Sequence, residues 1–340
     1  MSAEPPPSQL PELPEPNELE ELLLGGELRY TRLDAVQLTG VSLAFAERLW
    51  RAFGYPQPGD DVVAFTEGDI IALSRLRKLI DVGLFDEDHV IRMVRAVGQT
   101  MARLAEWQVD IMVGDITEAQ DPPHPETVRA LLEAVETHID ELEPLIVHAW
   151  RRQLAASGTR AMAVAAAEDE TVPVRMHLAV GFADMVSFTE VSRGMDEDEL
   201  ATMVESFEET VSDLIAASGG RLVKTLGDEV LFTAEAPQVG CEIALGIGEA
   251  VAAHPKIPDV RVGVAYGPVL PLMGDVFGTT VNLAARLTSV ARPGTVIVDA
   301  GLAAELDGSP KYEVHRLVRR PARGLGLIQP YVLRRRTRVS

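Results

Sequence analysis

Cysteine is nearly absent from this chain: Cys241 is the only one among 340 residues. A single cysteine excludes an intrachain disulfide, which fits a reducing compartment, and we expect a cytoplasmic protein. Long apolar runs are also missing, because no stretch reaches the ~18–20 residues that a bilayer span requires. The first residues, "MSAEPPPSQL", lack the basic and apolar regions of a signal peptide. These absences predict a soluble protein without a transmembrane segment.

Positive charge is scarce as well. Lysine and arginine number 31 against 52 acidic residues, which gives a net charge of −21. This balance argues against a broad surface for a phosphate backbone, so we expect no nucleic-acid partner. The stretch "TEGDIIALSRLRKLIDVG" faintly resembles part of a helix-turn-helix regulator, but the overall acidity disfavours DNA binding. A small phosphorylated ligand stays compatible, since it needs only a few local cations or a metal.

The composition changes along the chain in a way that predicts two domains. Six prolines lie within residues 1–16, and we interpret this segment as a disordered tail. Residues 17–156 have helical periodicity, with predicted helices at 42–54, 66–83, 86–116 and 125–156. The helix at 86–116 is expected to be largely buried. Residues 157–173, small residues followed by acids, predict a linker.

From residue 174 to 340 the period alternates between strand and helix. The apolar strand "RMHLAVGFAD" is followed by a long helix, and then by the hairpin "RLVKTLGDEVLF". Further helices alternate with the strands "VRVGVAYGPV" and "GTVIVDA" and with two final strand candidates. This order predicts an α+β domain in which helices pack on a mixed sheet, preceded by an all-α domain.

Two acids mark candidate chemistry in the second domain. Asp184 ends a buried strand, and Asp228 lies at the turn of the hairpin. Each alone has an ordinary interpretation, as a solvated strand end or a routine Gly-Asp turn. Two acids at adjacent strand ends are nevertheless the smallest set of protein ligands for a two-Mg²⁺ phosphoryl-transfer site. Glu229, beside the turn, is interpreted as a solvated acid without a role.

Lys224 lies inside the first strand of the hairpin, four residues before Asp228. A rise of ~3.3 Å per residue separates the two by roughly 13 Å, too far for one ion pair. Lys224 could simply extend into solvent from an edge strand. Further polar residues follow it: Asp275 in a predicted loop, Asn282 and Arg286 on one face of the next helix, and Arg261 and Arg323 near apolar strands.

In this order, "FADMVSFT", "LVKTLGDEVLF", "VRVGVAYGPV", "GDVFGTTVNLAAR" and "RGLG" resemble the catalytic domain of class III nucleotidyl cyclases, whose core is ferredoxin-like. The resemblance implies that Asp184 and Asp228 hold two Mg²⁺ or Mn²⁺ ions. It further implies substrate contacts by the other matching residues, with Lys224 and Asp275 at the adenine edge, Asn282 at the ribose, Arg286 at the transition state, Arg261 and Arg323 at the triphosphate, and Phe182 and Ala183 beside the substrate.

The resemblance implies an adenylyl cyclase that converts ATP to cyclic AMP and pyrophosphate. A lysine donor for adenine N1 and an aspartate acceptor for the 6-amino group would both mismatch guanine, so ATP should be preferred at least about tenfold. In the family the site lies between two catalytic domains packed head-to-tail. One catalytic domain of this chain carries both half-sets of residues, namely the metal-binding acids and the residues for the base, the ribose and the transition state. We therefore expect a two-fold homodimer.

The helical half resembles the regulatory half of a group of autoinhibited, pH-responsive actinobacterial cyclases. Four histidines, His89, His124, His138 and His148, are candidates for a pH response, although helix-surface or capped core histidines are the simpler interpretation. A small-molecule or lipid effector is also left open. The main alternative for the whole chain is a catalytically inactive nucleotide-binding sensor. A polymerase-like or cyclic-dinucleotide synthase palm would share the acids but leave Lys224 and Asp275 unexplained.

Overall fold

The structure, a computed structural model, describes residues 16–117, 125–167, 176–272 and 274–336. The chain divides into two compact units, Met1–Ser157 and Gly158–Ser340. Apart from Pro16, the predicted tail lies outside the described residues, as do residues 168–173 of the predicted linker. Within the described ranges, no helix combines the length and the apolar content that a membrane span requires.

The first unit is helical, as the periodicity predicts. Thr66 caps one helix with a reciprocal capping box to Asp69, and Ser42 caps the preceding helix, which ends at Gly54 in a left-handed conformation. The helices are α1 (Pro16–Leu24), α2 (Arg32–Thr39), α3 (Leu43–Phe53), α4 (Glu67–Asp81), α5 (Glu87–Thr117) and α6 (Pro125–Ala167).

The core of this unit lies among α2, α3, α4 and the beginning of α5. Trp50 stacks on Phe65 with ring centroids 4.8 Å apart, and Val94 of α5 packs in the same cluster. At Gly98 the backbone of Phe53 approaches so closely that a Cβ would lie 2.5 Å from its carbonyl oxygen. Beyond Gly98 the described part of α5 leaves this core, and Trp107 is 62% exposed. The prediction of a largely buried helix is therefore wrong for residues 99–111.

The second unit is an α+β domain, which confirms the predicted fold class. Its strands are β1 (Met176–Met185), β2 (Arg221–Leu226), β3 (Glu229–Ala234), β4 (Val260–Leu272), β5 (Asp275–Phe277), β6 (Val296–Val298), β7 (Tyr312–Arg316), β8 (Arg320–Ala322), β9 (Gly326–Ile328) and β10 (Tyr331–Arg335). Its helices are α7 (Phe188–Val191), α8 (Glu197–Ala217), α9 (Pro237–Ala253), α10 (Thr279–Val290) and α11 (Ala300–Glu305), with a 3₁₀ turn at Ser192–Gly194.

The main sheet has the order β2-β3-β1-β4-β6-β10-β7, and β5 pairs with β4 beside this path. Neighbours are antiparallel except β4 and β6, so the sheet is mixed. Apolar side chains of β1 alternate between its two faces. Ala179 and Ala183 pack in the cluster with α8, α9 and α11, whereas Val180 and Phe182 pack in the cluster with α10. The domain therefore has one core on each face of the sheet.

Gly263 of β4 lets α10 lie unusually close to the sheet. A Cβ at this position would lie 2.2 Å from the backbone nitrogen of Thr288 and 2.7 Å from the carbonyl oxygen of Ala284. No side chain fits in that space, so the sheet and the helix meet backbone to backbone. This contact sets the position of α10, which carries two of the predicted site residues.

Three short strands are absent from the sequence-based prediction. The strands β5, β8 and β9 have three residues each, which is too few to display a strand period. As a result, Asp275 opens β5 rather than lying in a loop. Arg323 lies in the turn that joins β8 to β9.

Candidate active site

Two predicted metal ligands lie at one end of the strands β1, β3 and β4. In the strand register, Asp184 is opposite Glu229 on one side and Arg261 on the other. Asp228 occupies the turn before β3, and its carbonyl oxygen accepts a hydrogen bond from the backbone of Met185. The charge of Asp228 also acts on Asp184, contributing to a raised pKa. The two acids are therefore close neighbours at the end of the sheet.

Arg261 binds Asp184 directly. Its Nε and Nη2 atoms both lie 2.5 Å from Oδ2 of Asp184, so the other carboxylate oxygen is not engaged by this arginine. Burial raises the pKa of Asp184, and the contact with Arg261 opposes that rise without cancelling it. The predicted triphosphate ligand is thus paired with a predicted metal ligand.

Glu229 belongs to the same acidic end, contrary to the expectation that it is solvated. Its side chain is half-buried beside Asp184 and Asp228. Burial, followed by repulsion from these two carboxylates, raises the pKa of Glu229 to about 7, although Arg261 opposes the shift. The strand register brings Glu229 beside Asp184, and the sequence of the turn alone does not reveal this.

Strand β2 of the hairpin carries Lys224, which contacts Asp275. Lys224 Nζ lies 2.5 Å from Oδ2 of Asp275, and both side chains are partly buried. Burial acts to raise the pKa of Asp275, but hydrogen bonds from Lys224 and from the backbone of Val276 outweigh it, so the pKa is lowered. The predicted base-reading pair is therefore assembled within one chain.

A β-bulge directs Lys224 toward this partner. The pairing of β2 with β3 slips between Leu222, opposite Phe232, and Lys224, opposite Leu231. Phe232 belongs to the core under α8 and α9, whereas Leu231 belongs to the core under α10. Leu222 and Lys224 would share a face in a regular strand, but the bulge moves the lysine to the α10 side.

Arg221, at the start of β2, makes a second contact with the same region. Its Nη2 atom donates a hydrogen bond to the carbonyl oxygen of Gly274, with a distance of 2.6 Å. Gly274 has a positive φ of 81° and immediately precedes Asp275. The sequence analysis did not identify Arg221, because nothing in a strand-opening arginine indicates a contact 53 residues away.

The remaining predicted residues lie on or near α10 and β1. Asn282 and Arg286 are both exposed on α10, as their spacing predicts, and Arg323 is exposed in the β8–β9 turn. A cavity of about 200 Å³ separates the start of α10 from this turn and is lined by Tyr266, Thr279, Thr280, Leu283, Leu325 and Ile328. Phe182 and Ala183 are buried in β1. The side chain of Phe182 therefore belongs to the core, and its carbonyl oxygen accepts a hydrogen bond from the Thr288 hydroxyl.

The geometry brings the predicted residues together in two groups. One group comprises Asp184, Asp228 and Arg261 at the end of β1, and the other comprises Lys224 and Asp275 between β2 and β5. Lys224 lies within β2, whereas Asp228 lies four positions later, in the turn that follows this strand. No contact in the described part of the chain joins the two groups directly.

The acidic end has the donors that a hard divalent cation prefers. Carboxylate oxygens suit Mg²⁺ and Mn²⁺. Burial raises the pKa of both Asp184 and Glu229, and repulsion from neighbouring carboxylates adds to both shifts. A cation bound at Asp184 and Asp228 would relieve that repulsion. No cluster of three or more histidine, cysteine, aspartate or glutamate ligands occurs among the described residues. Further ligands would have to come from substrate phosphates, water or backbone carbonyls.

The predicted pH-responsive histidines lie on helices of the first unit. His89 in the first turn of α5 contacts Asp86, with its Nδ1 atom 2.7 Å from Oδ1. His89 is exposed, as the helix-surface interpretation expects. His138 and His148 are exposed on α6, and His124 lies outside the described residues.

Comparison with known proteins gives consistent matches. Residues 172–335 match the family model described as the adenylate and guanylate cyclase catalytic domain. An adenylate cyclase from Streptomyces coelicolor is 44% identical, over 94% of this chain and 89% of its own length. One from Streptomyces griseus is 42% identical over 94% and 88%. A pH-sensitive adenylate cyclase from Mycobacterium tuberculosis is 28% identical over 80% and 68%.

Proposed function

This chain belongs to the adenylate cyclase family, and on that basis we propose that it converts ATP to 3′,5′-cyclic AMP and pyrophosphate. The observation that carries the proposal is the contact of Lys224, in β2, with Asp275, in a hairpin whose turn holds Asp228 beside Asp184. The Lys224–Asp275 pair suits a purine base, and the two acids suit metal ions and phosphates.

Adenine selection follows from the chemistry of the base-reading pair. The Lys224 ammonium donates, which suits the unprotonated N1 of adenine, and the Asp275 carboxylate accepts, which suits the 6-amino group. Guanine presents a donor at N1 and an acceptor at O6, so both residues would face a mismatched group. Each mismatch in a partly buried site costs ~1–3 kcal/mol, which supports a preference for ATP of at least about tenfold.

At the acidic end, Asp184 and Asp228 would hold two divalent ions. When bound, such ions lower the pKa of the ribose 3′-hydroxyl and neutralise charge on the phosphates. Arg261 now engages one oxygen of Asp184. We propose that it transfers to the triphosphate when substrate binds, which frees that carboxylate. Arg323, in its exposed turn, would bind the same phosphates.

Asn282 and Arg286 would act on the reacting part of the substrate. Both extend from one exposed face of α10, with one helical turn between them. The Asn282 amide would hydrogen-bond the ribose and orient the 3′-hydroxyl. The Arg286 guanidinium would meet the charge that develops on the transferring phosphoryl group, an effect of ~3–4 kcal/mol for a preorganised donor.

A shared site between two subunits explains why both half-sets occur in one domain. Lys224 contacts Asp275 and Asp228 lies beside Asp184, so each would serve a different nucleotide in a two-fold homodimer. The ribbon formed by β4 and β5 offers an apolar surface that a second subunit would cover. Leu270 and Phe277 are opposite each other in its register, and with Leu272 they are about half exposed, at 51%, 47% and 53% respectively.

Regulation by the helical unit is part of the proposal. Helix α6 continues to Ala167, and its residues after Ser157 group with the second unit. Burial lowers the pKa of Arg221, and the nearby positive charge of Arg160 on α6 lowers it further. The end of α6 is therefore close to the strand that carries Lys224, where a change in the helix would affect the base-reading pair.

The activity is tested with the purified full chain, Mg²⁺ or Mn²⁺, and ATP or GTP, with products separated by chromatography. Cyclic AMP is expected, and Asp228→Asn should abolish it. Asp307→Asn, which changes an exposed aspartate of the same unit, is the matched control and should retain activity. Absence of cyclic AMP with either metal across pH 5.5–8 would contradict the proposal. Nucleotide binding without turnover would then favour the inactive sensor.

The regulatory part is tested by comparing residues 172–340 with the full chain across pH 5.5–8. We expect the specific activity or its pH profile to differ, because the helical unit would bias the geometry of the catalytic dimer. Identical activity and identical profiles would exclude regulation by the helical unit under these conditions.

A further inference from the structure

Asp275 occupies a weakly supported position for a residue that must read a base. It opens a strand of three residues, β5, that pairs with β4 beside the main sheet. The preceding Gly274 has a positive φ, a conformation that glycine adopts freely. The outer face of this ribbon is exposed at Leu272, its direct neighbour in the register. The β4 ladder alone therefore leaves the ribbon free to move relative to β2.

Arg221 connects β2 to the peptide unit that precedes Asp275. The carbonyl that accepts its hydrogen bond belongs to the peptide unit between Gly274 and Asp275. Because a peptide unit is rigid and planar, holding this carbonyl oxygen restricts the positions open to the nitrogen and Cα of Asp275. The bond is charge-assisted, so it is stronger than a neutral hydrogen bond of the same length.

The contact from Arg221 is also independent of the base. In the free protein, Lys224 and Asp275 are hydrogen-bonded to each other. When adenine binds, both side chains must hydrogen-bond the base, and this weakens the contact between them. The Arg221–Gly274 bond uses a backbone carbonyl and a guanidinium that the base does not need, so it can persist.

From this geometry we propose that Arg221 is a positioning residue that sets the discrimination between ATP and GTP. It acts through Asp275, by holding the β4–β5 turn against β2 while the base binds. This inference rests on the proposed function, since it assigns a role within that nucleotide site. It adds a specificity determinant at the opposite end of β2 from the metal-binding turn.

The test uses full-length Arg221→Met, Arg221→Lys and Arg334→Met. Methionine keeps an unbranched apolar side chain but cannot donate. Lysine can replace a contact made through a single nitrogen, Nη2, although it could not replace a bidentate one. Arg334 is an exposed arginine on β10, far from β2 in the strand order, and serves as the control. The readout is the ratio of kcat/KM for ATP to that for GTP.

Arg221→Met is expected to lower this ratio about tenfold, mainly through a higher KM for ATP. Arg221→Lys should keep the ratio within about threefold of the wild-type value, because lysine can still donate one hydrogen bond. Arg334→Met should do the same, because this arginine is remote from the site. Lower activity with an unchanged ratio would show a purely structural role and overturn the inference. If the wild type forms no cyclic nucleotide, the proposed function fails, and calorimetric titration with ATP and GTP in Mg²⁺ then tests Arg221. An unchanged ratio of Kd values in Arg221→Met would overturn the inference there too.

Discussion

Mixing two inactive variants should restore activity if each site is built by two subunits. Asp228→Ala removes a proposed metal ligand in the hairpin turn, and Lys224→Ala removes a proposed base ligand in β2. The first residue lies beside Asp184 and the second contacts Asp275, so each can be replaced without disturbing the other group. In a mixed dimer, one site combines the intact acidic end of the Lys224→Ala subunit with the intact base-reading pair of the Asp228→Ala subunit. The second site carries both defects.

The expected recovery follows from counting sites. With free exchange at equal concentrations, about half of the dimers are mixed, and each has one functional site of two. The mixture should therefore reach about one quarter of the wild-type rate per subunit, and mixed dimers isolated with two affinity tags should reach about one half. Cyclic AMP formation is measured for each variant alone and for the mixture.

The control mixes Asp228→Ala with Asp184→Ala. Both substitutions damage the acidic end, so every dimer has two defective sites and no activity should return. Isolated mixed dimers of Asp228→Ala and Lys224→Ala that stay inactive would refute the shared site. Recovery in the Asp184 and Asp228 mixture would refute it equally, because it would place these two acids in different sites.

Three further predictions concern packing, protonation and helix capping. Gly263→Ala should destabilise the second unit by ~1–3 kcal/mol and lower kcat, because its Cβ would displace α10. Gly248→Ala, with open space around its Cβ, should have neither effect. Stability is measured by urea unfolding and kcat by turnover of ATP. Glu229 has a pKa of about 7 in the folded protein against 4.5 in the unfolded chain, so without metal the free energy of unfolding should fall between these pH values. Glu229→Gln should flatten that fall by at most about 3 kcal/mol, as measured by urea unfolding in EDTA, and an unchanged slope would contradict the assignment. Thr66→Ala should destabilise the helical unit by ~1 kcal/mol through loss of its capping box, detectable as a lower thermal midpoint.

In the free enzyme, the contact between Arg261 and Asp184 lowers the net negative charge at the end of the sheet. Asp184 and Asp228 repel Glu229 at the end of the sheet, and Arg261 partly compensates this charge before any cation is bound. When metal and triphosphate enter together, the cation would take over this compensation and the arginine would gain a new anionic partner. Arg261→Met should therefore weaken binding of ATP, and it should also raise the pKa of Glu229 further in the free protein, because an opposing charge is lost.

Local sequence was sufficient for the elements that depend on local physics. Thr66 and Ser42 begin helices where their side chains can cap, and the i, i+4 spacing of Asn282 and Arg286 puts both on one exposed helix face. The apolar run before Asp184 predicted a buried strand, and β1 ends one residue beyond this aspartate. These features were predictable because each depends on residues within a few positions along the chain.

Tertiary structure decided the features that depend on register and on long-range contacts. The bulge before Lys224 turns that side chain toward α10, and the pairing of β1 with β3 makes Glu229 a half-buried neighbour of Asp184. Arg221 reaches a carbonyl 53 residues away. The amino-acid sequence by itself determined which residue types were available for the chemistry. Strand register determined which of them meet, because shifting a strand by one residue moves every side chain to the opposite face.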